Sequence, residues 1–361
     1  MSAGRRLAVA GLAAAALTIV PLASARAELR RVRVGVCART ISAGIGTPFA
    51  VATKMGWFRA EGVEVELVPL PGSTDCVRTV ATGELPVALP SVEPLAIGRP
   101  QGIRARVFYT AYQGNVYGLA VPTWSTVRTF ADLKGKTIGV TSLASAGVII
   151  ARALAATAGL DPDRDVSIVV AGEGAQTAAM LRSRQIDALS QFDTQYAMVE
   201  NAGVPLRRLD AHGIDRFPSN GFVALDQTIA RDRRLCVALG RGYAKGTIFV
   251  IANPEAAIRI LYEVFPETRP TGKDEATAIG DDTRVLEARI QNWRLEKAGV
   301  GRWGESSMAN YAAYVDFLSR WGVIKGTVPV TDLVTNELIP EINRLDAGKI
   351  RAEAKAWKPA R

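Results

Sequence analysis

The side chains able to do chemistry are few. Three cysteines (Cys37, Cys76, Cys236) and one histidine (His212) stand in a chain of 361 residues. No cysteines are spaced C-x-x-C, so neither a zinc site nor thioredoxin-type redox chemistry is indicated. One imidazole cannot build a histidine metal cage or an H-E-x-x-H zincin. His212 reads as a solvated or capping loop residue. What remains are hydroxyl- and glycine-rich loops. Val140 to Gly147 reads VTSLASAG. It lacks the G-x-x-x-x-G-K-[ST] pattern of an ATPase phosphate loop. It also lacks G-x-S-x-G and a nearby histidine, so Ser142 and Ser145 are poor nucleophiles. A helix opening here presents free N–H groups. With Ser142, Ser145, Ala146 and Gly147 it can grip an oxyanion, or a serine can simply cap the helix. Ser73 and Thr74 are a matching pair earlier in the chain, with the Asp75 carboxylate beside them. Arg39, next to Thr40, can pair with an anion or sit in solvent. Glu93 and Asp193 can accept from an amine or aminopyrimidine, or serve as caps or a structural ion pair. Tyr109, Tyr112, Tyr117 and Phe192 can stack on a flat ligand or pack a wall. Asn115 and Asn220 are candidate donors or turn formers. These signals conflict in charge, so charge alone does not name a substrate.

The elements around these residues alternate. Val32–Val36 and Val63–Pro69 read as strands, the second with clean period-two alternation. Helices are expected from Pro48 to Met55 and from Gly72 through Ala81. Leu85–Leu89 and Ala105–Ala111 are further strands, with a short helix over Val92–Ile97 between them. The rhythm restarts with a short helix over Val127–Leu133, a strand Lys136–Val140, a helix Ala146–Ala158 and a strand Val166–Val170. Gln176–Ser183 is a helix and Ile186–Ser190 a strand. Such β-α-β repeats give parallel sheets covered by helices. Two similar apolar segments, Tyr117–Val121 and Asn220–Ala224, read as a pair of strands crossing between two lobes. After Ala224 the chain turns helical, with Met308, Tyr311, Val315 and Leu318 on one stripe. The reading is therefore an α/β chain of two lobes: residues 28–117 plus 223–361, and residues 118–222. The residues of interest fall at carboxyl ends of strands, where open α/β sheets bind ligands.

The N-terminus reads as an export signal. Arg5 and Arg6 precede an apolar run from Leu7 to Val20, Pro21 breaks it, and Ala25-Arg26-Ala27 offers cleavage after Ala27. No cysteine follows to take a lipid. Sec and twin-arginine export both remain open, and an uncleaved anchor is the alternative. No other segment reads as long and apolar enough to span a bilayer. The formal charge of +9 loses Arg5, Arg6 and Arg26 with the signal, leaving +6. It is dispersed, with no basic stripe and interleaved aromatics, so nucleic acid is not a partner. Export permits a Cys37–Cys76 disulfide across one sheet edge, but the demanding geometry favours free thiols.

With these residues in hand, the chain resembles the substrate-binding proteins of ABC importers. The resemblance is to the group that binds aliphatic sulfonates, taurine, nitrate and thiamine-pyrimidine precursors. It rests on GWFRAEGVEVELVPLPGSTD (56–75), ATGELPVAL (81–89), FADLKGKTIGVTSLASAG (130–147), LRSRQIDALSQFD (181–193) and ANPEAAIRILYEVFPE (252–267). It implies a two-lobed periplasmic-binding-protein fold of type II, with each lobe a mostly parallel sheet flanked by helices and a two-strand hinge between them. It implies a small polar ligand in the cleft, an ABC permease as partner, a monomeric periplasmic receptor, and no cofactor or metal. The expected ligand contacts are Arg39, Thr40, Ser73, Thr74, Glu93, Tyr117, Ser142, Ser145, Ala146, Gly147, Asp193 and Asn220. An enzyme is the alternative. Cysteine desulfinases resemble the same chain and carry a nucleophile where Cys37 stands, with Arg39 or Arg78 as possible helpers. Their chemistry needs a histidine close by, and His212 falls late in lobe 2. Precursor-making enzymes of the fold rely on His and Cys clusters this chain lacks. A sensor partner in place of an importer is a third possibility.

Overall fold

The computed structural model describes residues 29–210 and 213–359. The signal segment, its cleavage point and His212 lie outside the described residues. Ten strands form two five-stranded sheets. The first holds β1 (Arg30–Val36), β2 (Val63–Pro69), β3 (Val87–Ala88), β4 (Ala105–Thr110) and β10 (Gly221–Leu225). The second holds β5 (Ala120–Pro122), β6 (Lys136–Val140), β7 (Val166–Val170), β8 (Ala188–Leu189) and β9 (Leu206–Arg208). Their orders are β2-β1-β3-β10-β4 and β7-β6-β8-β5-β9. The two sheets share one plan. β1 runs parallel to β2 and β3, and β6 parallel to β7 and β8. The fourth place in each sheet is an antiparallel strand: β10 beside β3 and β4, β5 beside β8 and β9. Each antiparallel strand is where the chain arrives from the other sheet, so the crossing segments predicted near Tyr117 and Asn220 lead into these strands.

The sheets are joined by segments that also bond to each other. The Ala111 and Tyr112 N–H groups donate to the Asn220 carbonyl (3.0 and 2.9 Å), and Ser219 N–H to the Tyr112 carbonyl (3.1 Å). Farther along, Asn115 N–H donates to Asp215 and Leu209 N–H to Leu119. This is a two-segment hinge, with few backbone torsions free to change.

The first helix begins at Ala43, not at Pro48 as the sequence suggests. Proline is common at a helix start, which misleads here. Pro48 sits in the second turn, where it lacks only the N–H that would reach the Gly44 carbonyl. The helix Arg233–Ala252 corrects a second expectation, because its length and hydropathy would suffice to cross a membrane. It is instead a core helix with 78% of its most apolar stretch buried. Tyr243 on this helix meets Phe49 edge-on at 5.0 Å and Phe222 at 5.2 Å, tying it to the first sheet. A third correction concerns Cys37 and Cys76. They form a disulfide, with Cα atoms 6.0 Å apart. Cys37 follows β1 directly and Cys76 lies in the helix Ser73–Ala81, so adjacent parallel strands deliver both to one sheet edge at bonding range. Cys236 is the free, buried cysteine.

Candidate functional site

The carboxyl ends of β1, β3, β6 and β8 face one another across the hinge, and the loops that follow them touch. Ser142 Oγ donates to the Pro71 carbonyl (2.7 Å), and the Thr74 N–H donates to the Ala144 carbonyl (3.2 Å). Thr40 Oγ1 donates to Glu173 (2.7 Å). Gly72 makes the closest approach: a Cβ there would stand 2.4 Å from the Ala144 carbonyl oxygen. Only glycine lets the two backbones meet this closely. Two helix N-termini, at Ser73 and Ala146, thus face each other across the contact.

Inside this rim lies a small cavity of ≈ 20 Å³. Its walls include Cys37, Leu89, Tyr112, Tyr117, Phe192, Asn220 and Arg289. Tyr117 and Phe192 meet edge to face at 5.9 Å and are also bridged backbone to backbone. The Arg289 guanidinium lies 4.0 Å over the Tyr112 ring. It also grips Asp193 with Nη2 at 2.6 Å and Nε at 2.9 Å, while Asn292 Nδ2 donates to the same carboxylate at 2.8 Å. Burial alone would lower the Arg289 pKa, but the charge and hydrogen bonds of Asp193 hold it above its ordinary value. The pair joins the helix Asp193–Asn201 of the second lobe to the helix Glu275–Trp293.

Glu93 is 1% exposed and within electrostatic reach of Tyr117 in the cavity wall. Desolvation pushes its carboxyl above the ordinary value, against hydrogen bonds that favour the charged form. The Tyr314 hydroxyl donates to one carboxylate oxygen; the other is buried without a partner. Burial also raises the Tyr117 hydroxyl above its ordinary value, and the nearby Glu93 charge adds to the shift. Ser73 Oγ accepts from the Ser91 N–H (3.1 Å).

The structure sorts the predicted residues. Tyr117 and Asn220 line the cavity. Asn220 is also structural, since its Nδ2 donates to the Leu89 carbonyl (2.8 Å) and its Oδ1 accepts from Ser219. Ser73 and Glu93 are buried near Tyr117 and do not line the cavity. The Ser142 and Thr40 hydroxyls and the Thr74 N–H are spent on contacts between the lobes, and the Thr74 residue is exposed. Ser145 caps its helix, accepting from the Gly147 N–H (3.1 Å). Gly147 packs on the next strand end, where a Cβ would fall 2.1 Å from the Ser190 carbonyl oxygen. Ala146 is fully buried. The Asp193 carboxylate is held by Arg289, which is the ion-pair alternative. Arg39 is exposed. Tyr112 and Phe192 are in the wall, whereas Tyr109 packs into the core against Phe222 and Tyr243. Sequence reasoning missed Arg289, Asn292 and Tyr314. Arg289 had a signal: it interrupts the apolar stripe Leu286, Ile290, Trp293, and a charge on a buried stripe requires a buried partner.

Two like-built α/β sheets, a paired hinge and a walled cavity at opposed strand ends define the two-lobed fold of the periplasmic binding proteins. Solved structures bear this out. The alkanesulfonate-binding protein SsuA of Xanthomonas axonopodis, bound to MOPS, superposes with a TM-score of 0.63 at 18% identity, over 86% of this chain and 99% of that one. The chain belongs to the NMT1/THI5-like family, whose pattern matches residues 46–257. By sequence it is similar to the riboflavin-binding protein RibY of Chloroflexus aurantiacus, 23% identical over 81% of this chain and 82% of that protein. It is also similar to the formylaminopyrimidine-binding protein of Halalkalibacterium halodurans, 20% identical over 63% of this chain and 66% of the other.

Proposed function

We propose that the chain is the solute-binding subunit of an ABC importer. It is exported to the periplasm, captures one small molecule between its lobes, and delivers it to a membrane permease as a monomer. The division into lobe 1 (28–117 and 223–361) and lobe 2 (118–222) is supported by the two sheets. The observation that carries the reading is the cavity between opposed strand ends, walled by Tyr112, Tyr117, Phe192, Asn220 and Arg289. At ≈ 20 Å³ it has room for little more than a water, so a solute enters when the hinge opens and is desolvated when it closes.

The ligand class we favour is a flat, neutral or weakly basic nitrogen ring, among the sulfonates, nitrate, taurine and pyrimidine precursors the family resemblance suggests. Aromatic walls suit a planar ring. The buried guanidinium is already neutralised by Asp193, so it offers little to an oxyanion. Glu93, whose second carboxyl oxygen is buried without a partner, offers a hydrogen-bonding group to ring nitrogens and exocyclic amines. The relatives named for riboflavin and formylaminopyrimidine point the same way. The desulfinase alternative is disfavoured because Cys37 is bound in the disulfide, and a nucleophile must be a free thiolate. A thermal-shift panel of riboflavin, aminopyrimidines, sulfonates, taurine and nitrate tests the proposal. A flat nitrogenous ring should raise the melting temperature in a saturable way. Stabilisation by none of them refutes capture of this ligand class, and turnover of any of them favours the enzyme.

A further inference from the structure

A second polar cavity, ≈ 290 Å³, lies behind the Asp193–Arg289 pair on the outer side of the hinge. It is separate from the cleft and independent of the reading above. Its distinctive feature is how its cations are held. The Lys297 stem lies over Gly114, where a Cβ would fall 2.7 Å from Lys297 Cδ, and its ammonium donates to Asn292 Oδ1 (3.1 Å). The Arg208 guanidinium lies 4.2 Å over the Tyr196 ring and flat against Gly118, 3.1 Å from a Cβ placed there. Tyr196 is itself fixed, its hydroxyl donating to the Gly118 carbonyl (2.8 Å). Both cations are thus pre-positioned on one stretch of the hinge, and neither makes an ion pair with another described residue. Asn115 lines the same cavity and is 6% exposed. Its Oδ1 accepts from the Tyr117 N–H (3.0 Å), which orients the amide, and its Nδ2 has no partner. A buried amide donor without a partner costs about 1–3 kcal/mol unless something accepts from it. Glu200 and Asp215 also line the cavity. A cavity with two fixed cations, an orphan donor and the carboxylates of Glu200 and Asp215 beside the Arg289-bound Asp193 matches a solute that carries both charges. Its size, just under that of drug-sized pockets, calls for a small one.

We propose that this cavity binds a small zwitterion of amino-acid type. Its carboxylate lies on Arg208, Lys297 and the Asn115 amide, and its ammonium faces Glu200 and Asp215. The site is built by the hinge, the second lobe and the C-terminal helices. The test is calorimetric titration of the full mature protein with glycine, L-serine and L-glutamine, with acetate and ethylamine as single-charge controls. One zwitterion should saturate, with both controls at least ten-fold weaker. Arg208→Gln/Lys297→Gln should weaken it at least ten-fold, as should Lys297→Ala alone should the double variant prove unstable. Ser142→Ala/Ser145→Ala should leave it unchanged. Saturation by no zwitterion overturns the proposal, as does binding that survives loss of both cations. Loss in the serine variant instead would place the solute in the cleft and overturn it equally, while supporting the cleft reading.

Discussion

Asp193→Asn is a sharp perturbation of the architecture that joins the lobes. The substitution keeps the shape and removes the charge. Arg289 is 2% exposed and Asp193 7%, so little water reaches the guanidinium left behind. Removing one partner of a buried pair costs about 3–5 kcal/mol, because an uncompensated charge stays in a low-dielectric site. Replacing both partners by apolar groups, Asp193→Leu with Arg289→Met, removes that penalty and should cost much less than the two single changes added together. The assay is a double-mutant cycle by urea unfolding, read at unchanged m. Coupling of at least about 2 kcal/mol is expected, following from the three charge-assisted bonds to Asp193 and the exclusion of water. A cost below about 1 kcal/mol for Asp193→Asn would refute the reasoning. So would single costs that add to within about 0.5 kcal/mol.

Three further outcomes follow from the geometry. Glu93 has a folded pKa above its ordinary value of 4.5, so the native state holds its proton longer than the unfolded chain. The wild type should therefore lose stability as pH rises from about 4.5 through the raised value, and Glu93→Gln should flatten that part of the curve in denaturation at a series of pH values. An unchanged slope would remove Glu93 as its source. The Cys37–Cys76 bridge closes a loop of sequence separation 39, worth about 4 kcal/mol by the chain-entropy relation. Cys37→Ser/Cys76→Ser should unfold at correspondingly lower urea, and the wild type should match it under reductant. Ser142→Ala removes the bond to the Pro71 carbonyl and should weaken the cleft ligand by roughly two- to ten-fold with little change in melting temperature, since a hydrogen bond contributes about 0.5–1.5 kcal/mol. Ser145→Ala should instead lower stability by about 1 kcal/mol through loss of its cap. If the two serines show the same profile, the assignment of separate roles is wrong.

The fold was largely legible because its signals are local. Period-two runs such as Val63–Pro69 and the Ala-rich helix after Ser145 declare themselves within a few residues. The repeat of one rhythm in both halves declared the two lobes. Boundaries set by tertiary packing were not legible, as Pro48 inside its helix shows. The buried helix Arg233–Ala252 was opaque for a related reason: apolarity on all sides means burial, in protein or in lipid, and the sequence does not say which. At the site, the sequence placed the right loops at the cleft but not the use of each group. A hydroxyl at a strand end can face a solute, a cap or the opposite lobe, and only long-range geometry decides. Ser142 went to the opposite lobe, Ser145 to its own helix, and Asp193 to Arg289, 96 residues away.

The central claim is capture of a solute by closure of two lobes over one cleft. It is tested most directly by calorimetric titration of riboflavin and an aminopyrimidine into the wild type and into Gly72→Val. A side chain at residue 72 collides with the Ala144 carbonyl and holds the lobes apart. The account predicts one-to-one binding of a flat nitrogenous ring to the wild type and at least ten-fold weaker binding to a folded Gly72→Val protein. Equal affinity in the two proteins would contradict it, as would no binding of either compound to the wild type.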